Sequence, residues 1–260
     1  MAVLVVVGAA VYLLLPGRTS ARPPVHAAGP RAPDAWSTDC DVAALAVGVD
    51  AQRAGERLAL VSPRGQYVVS FKELPPGAPF TEAGLHARLG ADASGALRHV
   101  TRVLAGGRCA SVGSLLPWGP GCAGAPAEVR SVCHALLQRT NVGVIKASLA
   151  PWSLGEAVNA HSNDSSDVEF WRCLIFQLVF TLAALQQIIP GVRHNDLGVN
   201  MRAAPMVPTA DLVVYTLPQG GQHFRVPGAM PISLQVTDFE LAWAPSLPNP
   251  LVDEIRPIVC

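Results

Sequence analysis

The longest apolar stretch of the chain, Val168–Ile189, places Phe170, Leu174, Ile175, Leu178, Leu182 and Leu185 on overlapping helical faces. Asn163, Asp164, Ser165, Ser166 and Asp167 supply caps ahead of it, and Pro190-Gly191 stops it. Its polar positions, Glu169, Arg172, Gln177, Gln186 and Gln187, mark a helix buried in a folded domain rather than a membrane span. A second helix is read over Glu128–Leu137, where Val129, Val132, Cys133, Leu136 and Leu137 form one apolar stripe. Ser153–Asn159 opens with a serine followed three positions later by Glu156, a capping box. Thr81–Leu89 reads as a short helix.

Between these lie strand-like runs. Val42–Val49 is apolar and reads as a first strand. Arg57–Val61 and Gln66–Phe71 flank a turn carrying Pro63 and Gly65, the pattern of a β-hairpin, and Lys72 closes its second strand. Asn141–Ser148 reads as a buried strand, and Leu212–Leu217, Gln222–Val226 and Ile232–Thr237 as three further strands. The middle of Glu73–Ala127 has no clear period and reads as an insertion.

Ahead of all this, Ala2–Leu15 is an uncharged apolar run closed by Pro16-Gly17. Fourteen apolar residues fit a short anchor or a signal core better than a full span, which needs about 20. Arg18, Arg22 and Arg31 follow it, so the positive-inside rule places the downstream domain on the cytosolic side of a membrane. A glycan at the Asn163 sequon would place it in the lumen instead. Thr19–Thr38, rich in Pro, Ala and Arg, reads as a tether. The expected organisation is a hydrophobic segment over 1–17, a linker over 18–41, and folded portions over 42–150 and 151–260.

Composition adds exclusions. Formal net charge is zero, which argues against nucleic-acid binding through bulk charge. The cysteines, Cys40, Cys109, Cys122, Cys133, Cys173 and Cys260, form no CxxC pair or zinc-type spacing. Cys133 and Cys173 lie on apolar helix faces, the usual place of a buried thiol. Cys109 and Cys122 flank a Gly/Pro loop and would pair in an oxidising compartment. Only two of the 19 basic residues are lysines, Lys72 and Lys146, so chemistry that needs a lysine has two candidates.

Two short motifs carry chemistry. Gly191–Met201 reads GVRHNDLGVNM, and Val236–Trp243 reads VTDFELAW. Phosphoryl transfer needs a cation on the phosphates, a carboxylate on Mg²⁺, and an aspartate beside the attacking hydroxyl. Lys72, Asp238 and Asp196 are of the right types for these tasks. The stretches FWRCLIFQLVFTLAALQQIIPGVRHNDL and FRVPGAMPISLQVTDFELA resemble the serine/threonine protein kinases of large DNA viruses, the poxvirus and giant-virus type. HND with DFE is also similar to choline and ethanolamine kinases.

The viral-kinase resemblance implies an α+β, protein-kinase-like fold of two lobes, with a β-rich N-lobe and a truncated helical C-lobe. It implies ATP and Mg²⁺, or Mn²⁺, as cofactors and a protein hydroxyl as acceptor. Asp196 and His194 are the implied catalytic positions, Lys72 and Glu128 the nucleotide-binding pair, and Asp238 and Asn200 the metal ligands. Glu82 is the nearer alternative to Glu128, and Lys146 in VGVIK the alternative to Lys72. Several positions depart from the family pattern. Met201 stands five residues after Asp196 where that pattern has a metal-binding Asn, Gly198 replaces a lysine, and Glu240 replaces the glycine of DFG. No glycine-rich loop precedes Lys72. The expected function is ATP-dependent phosphorylation of a protein. A catalytically degenerate binding protein is the alternative, and a small-molecule kinase of the choline type a further one.

Overall fold

The computed structural model describes residues 4–7, 10–13 and most of 40–252; the internal stretches 49–51, 54–58, 63–64, 91–95, 161–167, 199–200, 207–210, 220–221 and 228–231 and the single positions 76, 120, 248, 250 and 251 lie outside the description. The Thr19–Thr38 tether, the Asn163 sequon and Asn200 are therefore not described. The fold is mixed α+β, with several antiparallel sheets and few helices.

Near the N-terminus, β1 (Leu4–Val7) and β2 (Ala10–Leu13) form an antiparallel hairpin with Leu4 opposite Leu13. The apolar run read as an anchor or signal segment carries this hairpin over its described residues. The β-branched Val5, Val6 and Val7 favour the first strand, and Val11 and Tyr12 the second. A correction concerns Val42–Val49, which holds the short helix α1 (Val42–Leu45) rather than a strand. Alanines at 43, 44 and 46 favour helix, and the Asp41 and Val42 carbonyls accept from Leu45 and Ala46 at 2.9 Å.

The main sheet has the order β3-β4-β5-β7-β6, built from Gln52–Arg53, Ala59–Val61, Tyr67–Glu73, Val142–Ser148 and Val103–Cys109 respectively. Every neighbouring pair is antiparallel. The β4–β5 hairpin falls where the apolar runs predict it. Gly65 supplies the positive φ of its turn, 60°, and the Ser62 hydroxyl accepts from the Gln66 and Tyr67 amides. The helix α2 (Thr81–Gly90) joins β5 to β6, and α3 (Ala127–Leu137) precedes β7. β6 arises inside the stretch that reads as an insertion.

One face of the sheet carries the first core. Val69, Phe71, Val142 and Val144 pack there with α1 and with the buried stripe Val129, Val132, Cys133 and Leu136 of α3. Two disulfides reinforce it, Cys40–Cys109 and Cys122–Cys133. Cys109 and Cys122 are both bonded, though not to each other, and Cys133 is not free. Cys173 is a buried thiol as expected. Two disulfides are the chemistry of an oxidising compartment, whereas the cytosolic expectation rested on arginines alone.

Beyond the sheet, β8 (Trp152–Ser153) and α4 (Leu154–Ala160) lead to α5 (Val168–Ile188). The capping box of α4 is reciprocal: Ser153 N donates to Glu156 at 2.6 Å and Glu156 N to the Ser153 hydroxyl at 3.2 Å. β12 (Ile232–Val236), β9 (Met201–Pro205) and β8 form a second sheet in that order, and β10 (Leu212–Thr216) pairs with β11 (His223–Pro227). The portion after residue 150 thus has two helices and two small sheets among the described residues, less helical than expected.

By length and composition α5 could cross a membrane over Phe170–Ile188. Its contacts are those of a core helix. Gln177 is fully buried; its Oε1 accepts from Leu234 N at 2.7 Å and its Nε2 donates to Ile232 O at 3.2 Å, so the side chain borders β12 as another strand would. His99, also buried, donates from Nδ1 to Leu234 O, which leaves Nε2 to accept from the Tyr215 hydroxyl, both at 2.9 Å. That ring ties β10 to β12.

The disulfides close loops with sequence separations of 69 and 11. Loop entropy assigns them about 4 and about 3 kcal/mol. Reduction of the folded chain is expected to lower the urea midpoint sharply, and Cys40→Ser to lower it more than Cys122→Ser. Equal midpoints with and without reductant would rule out a structural role.

Candidate active site

The site begins with strand register. Lys72 lies opposite Gly143 on β7, on the sheet face away from the first core. Lys146 is in register with Val69 and so faces the other way. Its ammonium donates to Ala46 O at 3.1 Å and lies 4.4 Å from the Tyr67 ring centre. The sheet's two faces therefore separate the two lysines, and only Lys72 faces the residues of the DFE segment.

Gly143 also positions α2. A Cβ there would come within 2.7 Å of the Phe80 ring, so the absent side chain lets that ring approach β7 closely at the entrance to the helix. The second residue of α2 is Glu82, whose Oε2 lies 2.7 Å from Lys72 Nζ. This corrects the expected pairing with Glu128, which is exposed on α3. The stripe of α3 docks it on the far face of the sheet, out of reach of Lys72.

Lys72 is 11% exposed and gathers two further carboxylates, Asp238 Oδ1 at 2.8 Å and Glu240 Oε2 at 3.1 Å. Lys72 and Asp238 are 166 residues apart in sequence. Glu82 Oε1 accepts from Phe239 N at 3.2 Å, so one glutamate holds both the lysine and the DFE backbone. Phe239 is fully buried, edge-on to the His86 ring of α2 and 4.7 Å from that of His194. A shallow cleft opens beside Lys72, lined by Leu74, Pro75, Phe80, Glu82, Glu240 and Asn249 among others.

The HND and DFE loops are zipped together. Arg193 and Trp243 exchange backbone hydrogen bonds at 2.8 and 2.9 Å. His194 Nε2 donates to Thr237 O at 2.9 Å, and Asn195 Nδ2 donates to Leu241 O at 2.9 Å. Asn195 and Asp238 both hold left-handed backbone, φ 64° and 58°, a conformation that persists only where surroundings impose it. Asp196 follows on the same loop, half-buried, and its charge raises the proton affinity of His194. Burial outweighs that and leaves His194 below the usual histidine range. Of the implied metal ligands, Asp238 is in the cluster and Asn200 lies outside the described residues. Met201 opens β9 opposite Val236 and packs against an apolar cluster with Leu174 and Leu234.

Over 82 residues the chain is 33% identical to a protein of Acanthamoeba polyphaga mimivirus provisionally named a serine/threonine-protein kinase, an alignment covering 30% of this chain and 17% of that protein. The chain thus matches about a sixth of that relative's length. This supports a kinase-like relationship. No family model matches the chain.

Two outcomes follow from these contacts. Lys72→Met would leave three carboxylates converging without a cation, at an expected loss of about 3 kcal/mol or more in urea unfolding; an unchanged midpoint would mean that water screens the cluster. Burial also lowers His86 and His99 from 6.5 to about 4. In that window the unfolded chain binds more protons than the folded one, so stability is complete above about pH 6.5 and declines toward pH 4, by roughly 3 kcal/mol per ring. His86→Leu should remove about half of that pH dependence; an unaltered slope would assign it elsewhere.

Proposed function

We propose that the chain is a kinase-like phosphotransferase domain that takes the γ-phosphoryl group from ATP to a hydroxyl of a protein. In this reading the main sheet with α2 is the small lobe, over 42–150, and the α5-centred portion, over 151–260, is a partial large lobe. The observation that supports it best is the convergence of Lys72, Glu82 and Asp238 from β5, α2 and the DFE turn. Lys72 would grip phosphate oxygens while Glu82 orients it. Asp238 would hold a divalent ion, which neutralises charge on the phosphates when bound. Among the described residues no group of three His, Cys, Asp or Glu side chains is arranged to hold a metal ion, the three carboxylates at Lys72 being turned to its ammonium, so most of that ion's oxygens would come from phosphate and water.

Asp196 would orient the acceptor hydroxyl and take its proton. A new P–O bond forms to that oxygen as the bond to the β-phosphate oxygen breaks, and ADP leaves. His194 keeps the loop registered through Thr237. The two disulfides favour an oxidising compartment for the domain over the cytosol.

A second reading, a kinase-like binding protein without transfer, is favoured by Met201. A thioether packed in an apolar cluster replaces an amide ligand, and it is a poor donor to a hard cation.

Incubation with Mg·ATP and a serine/threonine-rich protein acceptor separates the two. Transfer that falls about 100-fold or more in Asp196→Ala supports the enzyme. Nucleotide-dependent thermal stabilisation with no transfer, in either Mg²⁺ or Mn²⁺, supports the binding protein. Neither effect would remove both readings.

A further inference from the structure

Resting on that nucleotide-binding reading, we propose that Glu240 is a gate on Lys72: its carboxylate occupies the donor that a nucleotide phosphate needs, and binding requires its release. A lysine ammonium has three N–H donors. Carboxylate oxygens crowd it at 2.7, 2.8 and 3.1 Å, the Asp238 oxygen as a hydrogen-bond acceptor and the other two as ion-pair partners. A phosphate oxygen that approaches the ammonium competes with the carboxylate that is least firmly held.

The three are not equally held. Glu82 is 6% exposed, its second oxygen accepts from the Phe239 amide, and the His86 ring stands 4.0 Å away. Asp238 is 14% exposed, its backbone is left-handed, and the oxygen that meets Lys72 also accepts from Glu240 N at 3.4 Å. Glu240 has the longest contact, is 40% exposed and lines the open cleft. Its carboxylate is the one that water can take over.

The gate works by side-chain rotation. Asn249 is 2% exposed and donates from Nδ2 to Glu240 O at 2.7 Å and to Ala242 O at 2.9 Å. The main chain beneath Glu240 is thus pinned, and release of the carboxylate leaves the HND–DFE zipper in place. Electrostatics act in the same direction: three carboxylates outnumber one ammonium, so the closed cluster repels a polyphosphate and the open one repels it less.

Titration of the full 260-residue chain with a fluorescent ATP analogue and Mg²⁺ tests this, comparing wild type with Glu240→Gln and with Glu240→Ala, and using circular dichroism to verify folding. Both variants are expected to bind about fivefold more tightly, the equivalent of one partly exposed ion pair of about 1 kcal/mol. Wild-type binding that either folded variant merely equals or fails to reach overturns the gate and leaves the nucleotide reading standing. No binding by any of the three overturns both.

Discussion

A buried ammonium is the constraint around which the site is organised. Lys72 cannot enter a largely dry position without anionic partners, because desolvating an unpaired charge costs several kcal/mol. Those partners come from three elements: Glu82 from α2, and Asp238 and Glu240 from the turn after β12. Each must be in place for the others to be stable. Gly143 lets Phe80 seat the start of α2, Glu82 holds the Phe239 amide, and Phe239 fills the space between His86 and His194. The ion cluster is thus less a surplus of stability than a specification of how sheet, helix and loop sit together.

The apolar counterpart is α5. Leu185 and Ile189 pack with Leu85 and Leu89 of α2 and with Phe239, so the helix that leads into HND also supports the helix that carries Glu82. Gln177 makes α5 specific as well as greasy. Its amide spans Ile232 O and Leu234 N, and a leucine there would leave both strand groups without those partners.

Much of this was legible from pattern. The β4–β5 hairpin, α2, α3, β7, the capping box of α4 and the extent of α5 follow from period and punctuation, because each buries one face or carries a local cap. What was not legible depended on neighbours distant in the chain. Glu128 heads the helix with the clearer stripe, but a stripe tells where a helix packs, not which cation its glutamate meets. Glu82 was the nearer candidate, and the signal that decides for it, a glycine opposite the lysine that admits Phe80, exists only once register is known. Cysteine pairing was hidden for the same reason: Cys40 meets Cys109 across 69 residues, which spacing cannot reveal. Val42–Val49 misled because a short run of Val, Ala and Leu fits a strand or a short helix equally well.

The two departures at the site, Met201 and Glu240, are coupled by their elements. Met201 begins β9, and its register partner Val236 lies two residues before Asp238 on β12. Packing Met201 into the apolar cluster steadies the strand pair that presents Asp238, while it removes a polar ligand from the cleft side of the loop. Glu240, on the loop after Phe239, adds a carboxylate close to Asp238, at 3.1 Å from the same ammonium. A carboxylate there can serve a cation or neutralise the lysine, but not both at once. Whichever partner binds it most strongly, ammonium or divalent ion, sets whether the cleft is closed at rest.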